Sequence, residues 1–478
     1  MIPRREEIRK AYEAGYEAVV ALMETTFKGM DERLRMLESR LSQNSQNSHR
    51  PPSSEGLRKP PPRSERKKTG RRSGGQAGHE GTTLEMVAEP DEIVDHWPRH
   101  CAGCGEVLEA KHASGYEARQ IHDLPPIKIE VTEHRGMKVY CCGCGTVTRG
   151  TFPERVTQPV QYGSGLAALA GYANVYQLLP LERTSELLED LGKRRLSEGT
   201  LVNMLMACGK GVAPIVANIK AALSQMPVLH LDETGLRVMN KLHWLHVVAT
   251  NQLTFYAVDE KRGKQAHEHI GILPKYSGVA IHDAYASYDQ WTQAGLKHGL
   301  CNAHLLRDLQ AIDELTGQRW ATDMKALLGQ MKAAVDQAKT LAQPKLASPQ
   351  WASFIAQYDA IVRRALQSNS RPTKQPGKRG RSKASPARNL AERLRDRKED
   401  ILRFLHDFAV SFDNNQAERD LRMMKVKQKV SGCFRSLEGA RTFAAIRTYI
   451  SSARKQGFHA LHALRAIFDG SSIVLKLA

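Results

Sequence analysis

The sequence predicts a multidomain α+β protein built around a mixed sheet, and three observations carry that expectation. Its 478 residues exceed the size at which one hydrophobic core keeps growing, so several domains are needed. Five short β-rich runs follow one another from Pro227: VLHLDETG, KLHWLHVVAT, LTFYAVDE, GVAIHDAYASY and KHGLCNAH. Turn-sized loops or one helix-sized segment, roughly Gly263 to Leu273, separate the first four, as in a mixed sheet covered by helices. Helical patterns fill the chain on both sides, from about Tyr162 to Leu223 and from about Leu305 to Asp407.

Charge narrows the function. Seventy Lys and Arg against fifty-one Asp and Glu leave a formal charge of +19, which favours a polyanionic partner, nucleic acid before any other. No apolar run reaches the eighteen or so residues of a membrane span, and MIPRREEIRK lacks the apolar stretch of a signal peptide. A cytoplasmic, nucleoid-associated protein with no membrane contact is therefore expected.

Taken in order, the first element is a helix. Tyr16, Val20, Met23, Phe27, Met30, Leu34, Leu37 and Leu41 alternate steps of four and three, a heptad seam with charges mostly off it. The pattern suits a short coiled coil, and hence a dimer; an amphipathic helix docked on its own chain is the plainer alternative. After Leu41 comes a Ser-, Pro-, Gly- and Arg-rich stretch that cannot bury a core. It carries nine basic residues between Arg50 and Arg72, with Arg71 and Arg72 at its end, against Glu55 and Glu65. Such an arm can bind DNA phosphates by releasing counterions, or serve merely as a solvated linker.

Two C-x-x-C knuckles follow, Cys101-Ala-Gly-Cys104 and Cys141-Cys-Gly-Cys144, each trailed by glycine. Four thiolates from such a pair can close tetrahedrally on one structural zinc ion. Cys142 is a competing ligand, but pairing Cys141 with Cys144 repeats the first knuckle's spacing. Clustered cysteines in a reducing compartment argue for metal against disulfides. Further on, RTSELLEDLG and RRLSEGTLVNMLMACG form a helical pair in which Ser197 opens the second helix and Thr200, Leu201 and Leu205 follow at helical spacing. This suits a helix-turn-helix that presents Ser197 and Thr200 to a major groove, although ordinary cores contain such pairs too.

Within the β-rich runs, Asp232 follows Val228 to Leu231 and Asp283 follows Val279 to His282, each where a buried strand is expected to emerge at the sheet's edge. Alone, either reads as a cap or turn residue. Together they suggest two carboxylates facing one strand-end crevice, a hard-ligand pair for magnesium or manganese. Glu233 is a rival ligand whose side chain should point to the opposite face if the strand continues. Later, Asp413 or Asn414 can cap a helix whose first turns hold Glu418, among Arg419, Arg422, Lys425 and Lys429. The loop RPTKQPGKRGRSKASPAR holds seven basic residues, Lys378, Arg379 and Arg381 among them, and no acid, a second potential DNA contact.

HLDETG, IHDAYASY, CNAHLLRDL and NNQAERDLR, in that order, resemble the signature stretches of the insertion sequence 66 family of bacterial transposases. The NSQNSHRPPSSEG and GRRSGGQAGH segments, the paired knuckles and SLEGARTFAAIRTYISSARKQG extend the resemblance over most of the chain. It implies a ribonuclease-H-like core whose DDE triad maps onto Asp232, Asp283 and Glu418, and an all-helical insertion within the 135 positions that separate the last two. It also implies magnesium-dependent cleavage of double-stranded DNA at element ends and strand transfer to a target, with accessory proteins of the same element as further partners. His304 and Arg307 would then lie behind the carboxylates or against a phosphate; a core histidine capping a helix is the bland reading of His304.

The expected divisions are a coiled-coil helix over 1–45, a basic arm over 46–90, a zinc-binding domain over 91–155 and a helix-turn-helix-like region over 156–225. The sheet core begins over 226–304, is interrupted by the helical insertion over 305–407, and resumes over 408–478 with the helix of Glu418. Two competing readings have distinct signatures. A recombinase with Tyr449 as nucleophile, among Arg441, Arg447 and Arg454, would leave DNA joined to protein. A zinc-containing DNA-binding regulator, or a decayed transposase, would bind DNA without cutting it.

Overall fold

The computed structural model describes residues 3–42, 84–125, 127–371 and 384–477. The chain divides into two compact units: one comprises residues 1–62, 134–190 and 194–478, the other residues 63–133 and 191–193. Arg71, Arg72, Lys378, Arg379 and Arg381, the basic residues singled out from the sequence, lie outside the described residues.

In the larger unit, helix α1 (Arg5–Glu13) is followed by α2 (Tyr16–Ser42), with Gly15 at φ +102° between them. That left-handed turn, natural to glycine, divides the amino-terminal helix in two just before its heptad seam starts. Along α2, Tyr16, Met23, Phe27, Met30, Leu34, Leu37 and Leu41 are all exposed. Strands β1 (Lys138–Tyr140) and β2 (Val147–Arg149) form an antiparallel hairpin around the second cysteine knuckle. Helices α3 (Ser164–Gly171), α4 (Leu181–Gly192) and α5 (Glu198–Leu223) come next, sharing a small apolar cluster that includes Ala167, Leu188, Leu196 and Leu201.

Among the described residues, α5 is the one helix long and apolar enough to cross a membrane by composition. Cys208, Val212, Ile219 and Leu223 on it are buried in the main core, where it packs against α3 and α13 (Leu437–Lys455). Its length as an apolar helix thus has an internal partner on one side.

The sheet accounts for all five β-rich runs: β3 (Val228–Val238), β4 (Lys241–Ala249), β5 (Thr254–Asp259), β6 (Val279–His282) and β7 (Lys297–Leu300), with α6 (Lys264–Ile270) between β5 and β6. Their order is β5-β4-β3-β6-β7; β3, β4 and β5 are antiparallel neighbours, whereas β6 and β7 extend the sheet in parallel from β3. One expectation is corrected here. Asp232 does not stand at the end of its strand, because β3 continues through Glu233 to Val238 and turns tightly into β4 through Met239 and Asn240, both at positive φ. What ends near Asp232 is only the parallel pairing to β6.

Each face of the sheet builds its own core. On one side lie α5, α13 and α14 (Ala460–Phe468), with Leu229, Leu231 and Ala280 pointing toward them. On the other lie α7 (Asn302–Thr316), α8 (Arg319–Thr340), α9 (Ser348–Ser368), α10 (Pro386–Asp396) and α11 (Lys398–His406), which share a core with Val279, Ile281 and Leu300. Side chains of the neighbouring helices bond to the backbone of both edge strands. On β5, the backbone N–H groups of Thr254 and Tyr256 donate to the hydroxyls of Ser452 and Thr448, one helical turn apart on α13. On β7, the carbonyl of His298 accepts from Arg403 of α11.

Candidate active site

The acids converge through strand register. In the parallel pair, Val228 lies opposite Val279, Leu229 opposite Ala280 and His230 opposite Ile281. Continued by two residues, that register sets Asp232 level with Asp283. Alternation along the strands puts both on the face that Val279 and Ile281 share with α7 to α11. Next in the sheet, the N–H of Cys301 donates to the carbonyl of His282, so β7 delivers Cys301 beside the end of β6. The parallel pairings of β3 with β6 and of β6 with β7 therefore stop in one row, although β3 itself runs on, and in open α/β sheets such a row borders a crevice.

Glu418 reaches this row from α12 (Asn415–Ser431), whose first turn contains it. The anchor is Asn414, which sequence reasoning treated only as a cap. It is buried, and its side chain makes no capping bond; instead the amide donates to the carbonyl of Leu231 at 2.7 Å and its oxygen meets His230 Nδ1 at 3.0 Å. Its backbone N–H points at Cys301 Sγ, 3.2 Å away, and its carbonyl accepts from the N–H of Glu418. One residue thus ties β3, the start of α7 and the start of α12 together. The N-terminal turn of α12 is satisfied by Asp413, whose carboxylate accepts from the N–H of Asn415.

Electrostatics distinguish the acids sharply. Asp232 is held well above the usual carboxylate range, first by burial and then by the charge of Glu233, with Asp283 and Glu418 adding to it. Among the described residues neither Asp232 nor Asp283 is ion-paired; each accepts a backbone N–H, from Glu233 and Tyr285. Glu418 Oε1 is buried without a hydrogen-bond partner among the described residues, and His304 Nε2 lies 3.9 Å from it. Glu233, one residue on, faces the other way. Arg262 donates to it at 2.7 Å and Tyr288 at 2.6 Å, while the Arg262 guanidinium lies over the rings of Trp244 and Tyr285. Burial raises Glu233 as well, but hydrogen bonds and the Arg262 charge oppose it.

The remaining sequence-derived residues fall in different places. His304 sits in the first turn of α7 beside Glu418, and Arg307 lies one turn further, half-buried. Arg419 and Arg422 are exposed on α12. Ser197 caps α5, its hydroxyl accepting from the N–H of Thr200 at 3.1 Å and meeting the Thr200 hydroxyl at 2.9 Å. Tyr449 is fully buried and donates to the carbonyl of Ala463; burial pushes its phenol up to about 12. A nucleophile must reach DNA, so the tyrosine-recombinase reading has no support.

Taken singly, the two cysteine knuckles repeat each other. Cys101 N–H donates to Glu106 and Gly105 N–H to Cys101, at 2.8 and 2.9 Å; Cys141 N–H donates to Thr146 and Gly145 N–H to Cys141, both at 2.9 Å. Gly105 and Gly145 adopt φ of +79° and +76°, which side chains resist. Backbone hydrogen bonds and the thiol of Cys104 lower Cys101, and Thr146 with Cys141 lowers Cys144, so both favour the thiolate.

A mixed five-stranded sheet carrying neighbouring acids on β3 and after β6, in a chain that also holds two cysteine knuckles, fits the class of DNA-processing proteins. Comparison with known families makes this specific. Residues 159–442 match the transposase IS66 family, and residues 98–145 match the zinc-finger binding domain of transposase IS66. Residues 2–85 match a family of unknown function. The chain belongs to the IS66 family of transposases. It is also 22% identical, over 81% of its length and 78% of the relative's, to the uncharacterized protein y4jD of Sinorhizobium fredii.

Proposed function

We propose that this transposase cleaves DNA at element ends and transfers the freed 3′ end to a target, with Asp232, Asp283 and Glu418 as its DDE triad. The observation that carries the reading is the meeting of three acids from distant parts of the chain, Asp232 and Asp283 having no ion pair among the described residues; burial first and the charge of Glu233 next raise Asp232, and Asp283 and Glu418 add to it. Their donor set is all oxygen, which suits magnesium or manganese. When bound by these three carboxylates, such ions supply activation of the attacking hydroxyl and charge stabilisation at the leaving 3′ oxygen. The chain's own part is to hold the acids in place through strand register and through Asn414. In this reading Arg307 contacts a phosphate and His304, 3.9 Å from Glu418, orients that acid.

A sheet antiparallel on one side of β3 and parallel on the other supports a ribonuclease-H-like core, and the run of helices α7 to α11, packed together on one face of that sheet, supports a helical insertion over 305–407. For DNA contact we propose the exposed cations Arg419 and Arg422, the start of α5 at Ser197 and Thr200, and Arg71, Arg72, Lys378, Arg379 and Arg381. The exposed heptad seam of α2 supports dimerisation, and the family resemblance adds accessory proteins of the same element as proposed partners. Zinc is proposed to be held by Cys101, Cys104, Cys141 and Cys144, on the strength of the matching hydrogen bonds in each knuckle. The deciding test is joining of labelled element ends in magnesium: wild type joins, whereas Asp232→Ala binds the ends and does not join them. Equal joining by both proteins would remove the catalytic reading, and binding without joining by both would leave a DNA-binding regulator.

A further inference from the structure

Cys301, His304 and Glu418 form a cluster that the triad does not explain. One donor atom from each, a thiol sulfur, an imidazole nitrogen and a carboxylate oxygen, lies within 4.8 Å of the others. We propose that these three side chains are a binding site for a thiophilic divalent cation such as zinc, and that it competes with the magnesium site for Glu418. The competition rests on the catalytic role assigned to Glu418; the binding does not.

Donor chemistry separates the two sites. Magnesium takes oxygen ligands, whereas a sulfur, a nitrogen and an oxygen make the mixed set that zinc accepts, with one position left for water. The sulfur is also prepared for the role. Cys301 is the residue before α7, and the backbone N–H groups of Ala303, His304 and Asn414 are directed at its Sγ. Such amides stabilise a thiolate. Coordination forms the sulfur–metal bond and breaks the S–H bond, and the proton leaves to solvent.

The geometry needs little movement. Ligand atoms around tetrahedral zinc stand roughly 3.3–3.8 Å apart, given bonds of about 2.0–2.3 Å. His304 and Glu418 already approach to 3.9 Å, and their side chains are 20% and 22% exposed, so an ion can enter from solvent. The side-chain torsions of Glu418 and His304 can close the remaining gap. Held in this way, Glu418 is withdrawn from Asp232 and Asp283.

The test counts metal in the full-length protein, equilibrated with buffered zinc and washed free of excess. Wild type is expected to hold one equivalent more than Cys301→Ser or His304→Gln, with thermal melts identifying which of the two variants is folded. Equal zinc in wild type and the folded variant overturns the site. In magnesium-dependent joining by wild type, that zinc should slow the rate at least tenfold and excess magnesium should restore it. Extra zinc bound with no loss of joining overturns the competition. Asp283→Asn keeps the catalytic question apart: it should retain the extra equivalent while failing to join, and if it joins normally the triad is wrong while the zinc count still decides the site.

Discussion

Asp232 and Glu233 are neighbours on one strand with opposite surroundings. Glu233 points to a face where an arginine lying over two aromatic rings neutralises it and a tyrosine hydroxyl donates to it. Asp232 points to a face where its neighbours are Asp283 and Glu418. An acid kept for the fold comes with a permanent cation, because a buried unpaired charge is costly. An acid kept for a removable cation does without one, and the protein tolerates the repulsion.

That difference can be broken by substitution. Asp232→Asn or Asp283→Asn should lower joining by at least about 10³-fold, several kcal/mol of lost transition-state stabilisation. Measured without divalent ions, the same variants should melt at or above the wild-type temperature, since a repulsive charge has gone. Magnesium should raise the melting temperature of wild type and fail to raise theirs. A drop in ion-free stability would mean that Asp232 serves the fold as Glu233 does.

Between these extremes stands Asn414, which carries no charge but spans both elements. Asn414→Ala leaves the carbonyl of Leu231 and the ring of His230 without their partner, and should cost about 2–3 kcal/mol in denaturant unfolding. Joining should fall beyond what the lost stability explains, because α12 is freed to shift Glu418. Glu233→Gln is the milder counterpart. It keeps an acceptor for Tyr288 but removes the charge facing Arg262, whose side chain is 36% exposed and can turn to water. A loss of about 1–2 kcal/mol is expected by the same measurement, together with joining near the wild-type rate.

The sequence made one side of this comparison far easier to read than the other. All five strands were legible because β-rich runs are local, and the acids after Leu231 and His282 stood out against apolar neighbours. The extension of β3 was not, because Asp-Glu-Thr-Gly reads as a turn and the Met239-Asn240 turn lacks the usual glycine. The ladder with β4 keeps that segment extended, and Glu233 within it is held by Arg262 and Tyr288, 29 and 55 residues away, partners that no local pattern announces. Asn414 was hidden for the same reason, since its partners on β3 lie 183 and 184 positions earlier. Cys301 and His304 show a local spacing, but only the fold brings Glu418 to them.

Histidines repeat the contrast on a smaller scale, and pH exposes it. His304 faces an acid, whereas His267 is buried against Tyr288, accepts a hydrogen bond from Trp291 Nε1, and meets His246 edge-on. Burial first, and then the charge of His246, lowers His267 to about 4 from its ordinary 6.5. Below pH 6.5 the unfolded chain takes up a proton that folded His267 refuses. Its contribution is therefore intact above pH 6.5, falls as pH drops, and is fully lost near pH 4. At pH 5.5 the cost is about 1 kcal/mol. His267→Gln retains an acceptor for Trp291 without titrating, so its stability should fall less steeply than wild type between pH 6.5 and 4. Parallel curves from chemical denaturation at each pH would show that His267 is protonated as easily in the fold as outside it, and that its surroundings are not the apolar counterpart of the acid crevice.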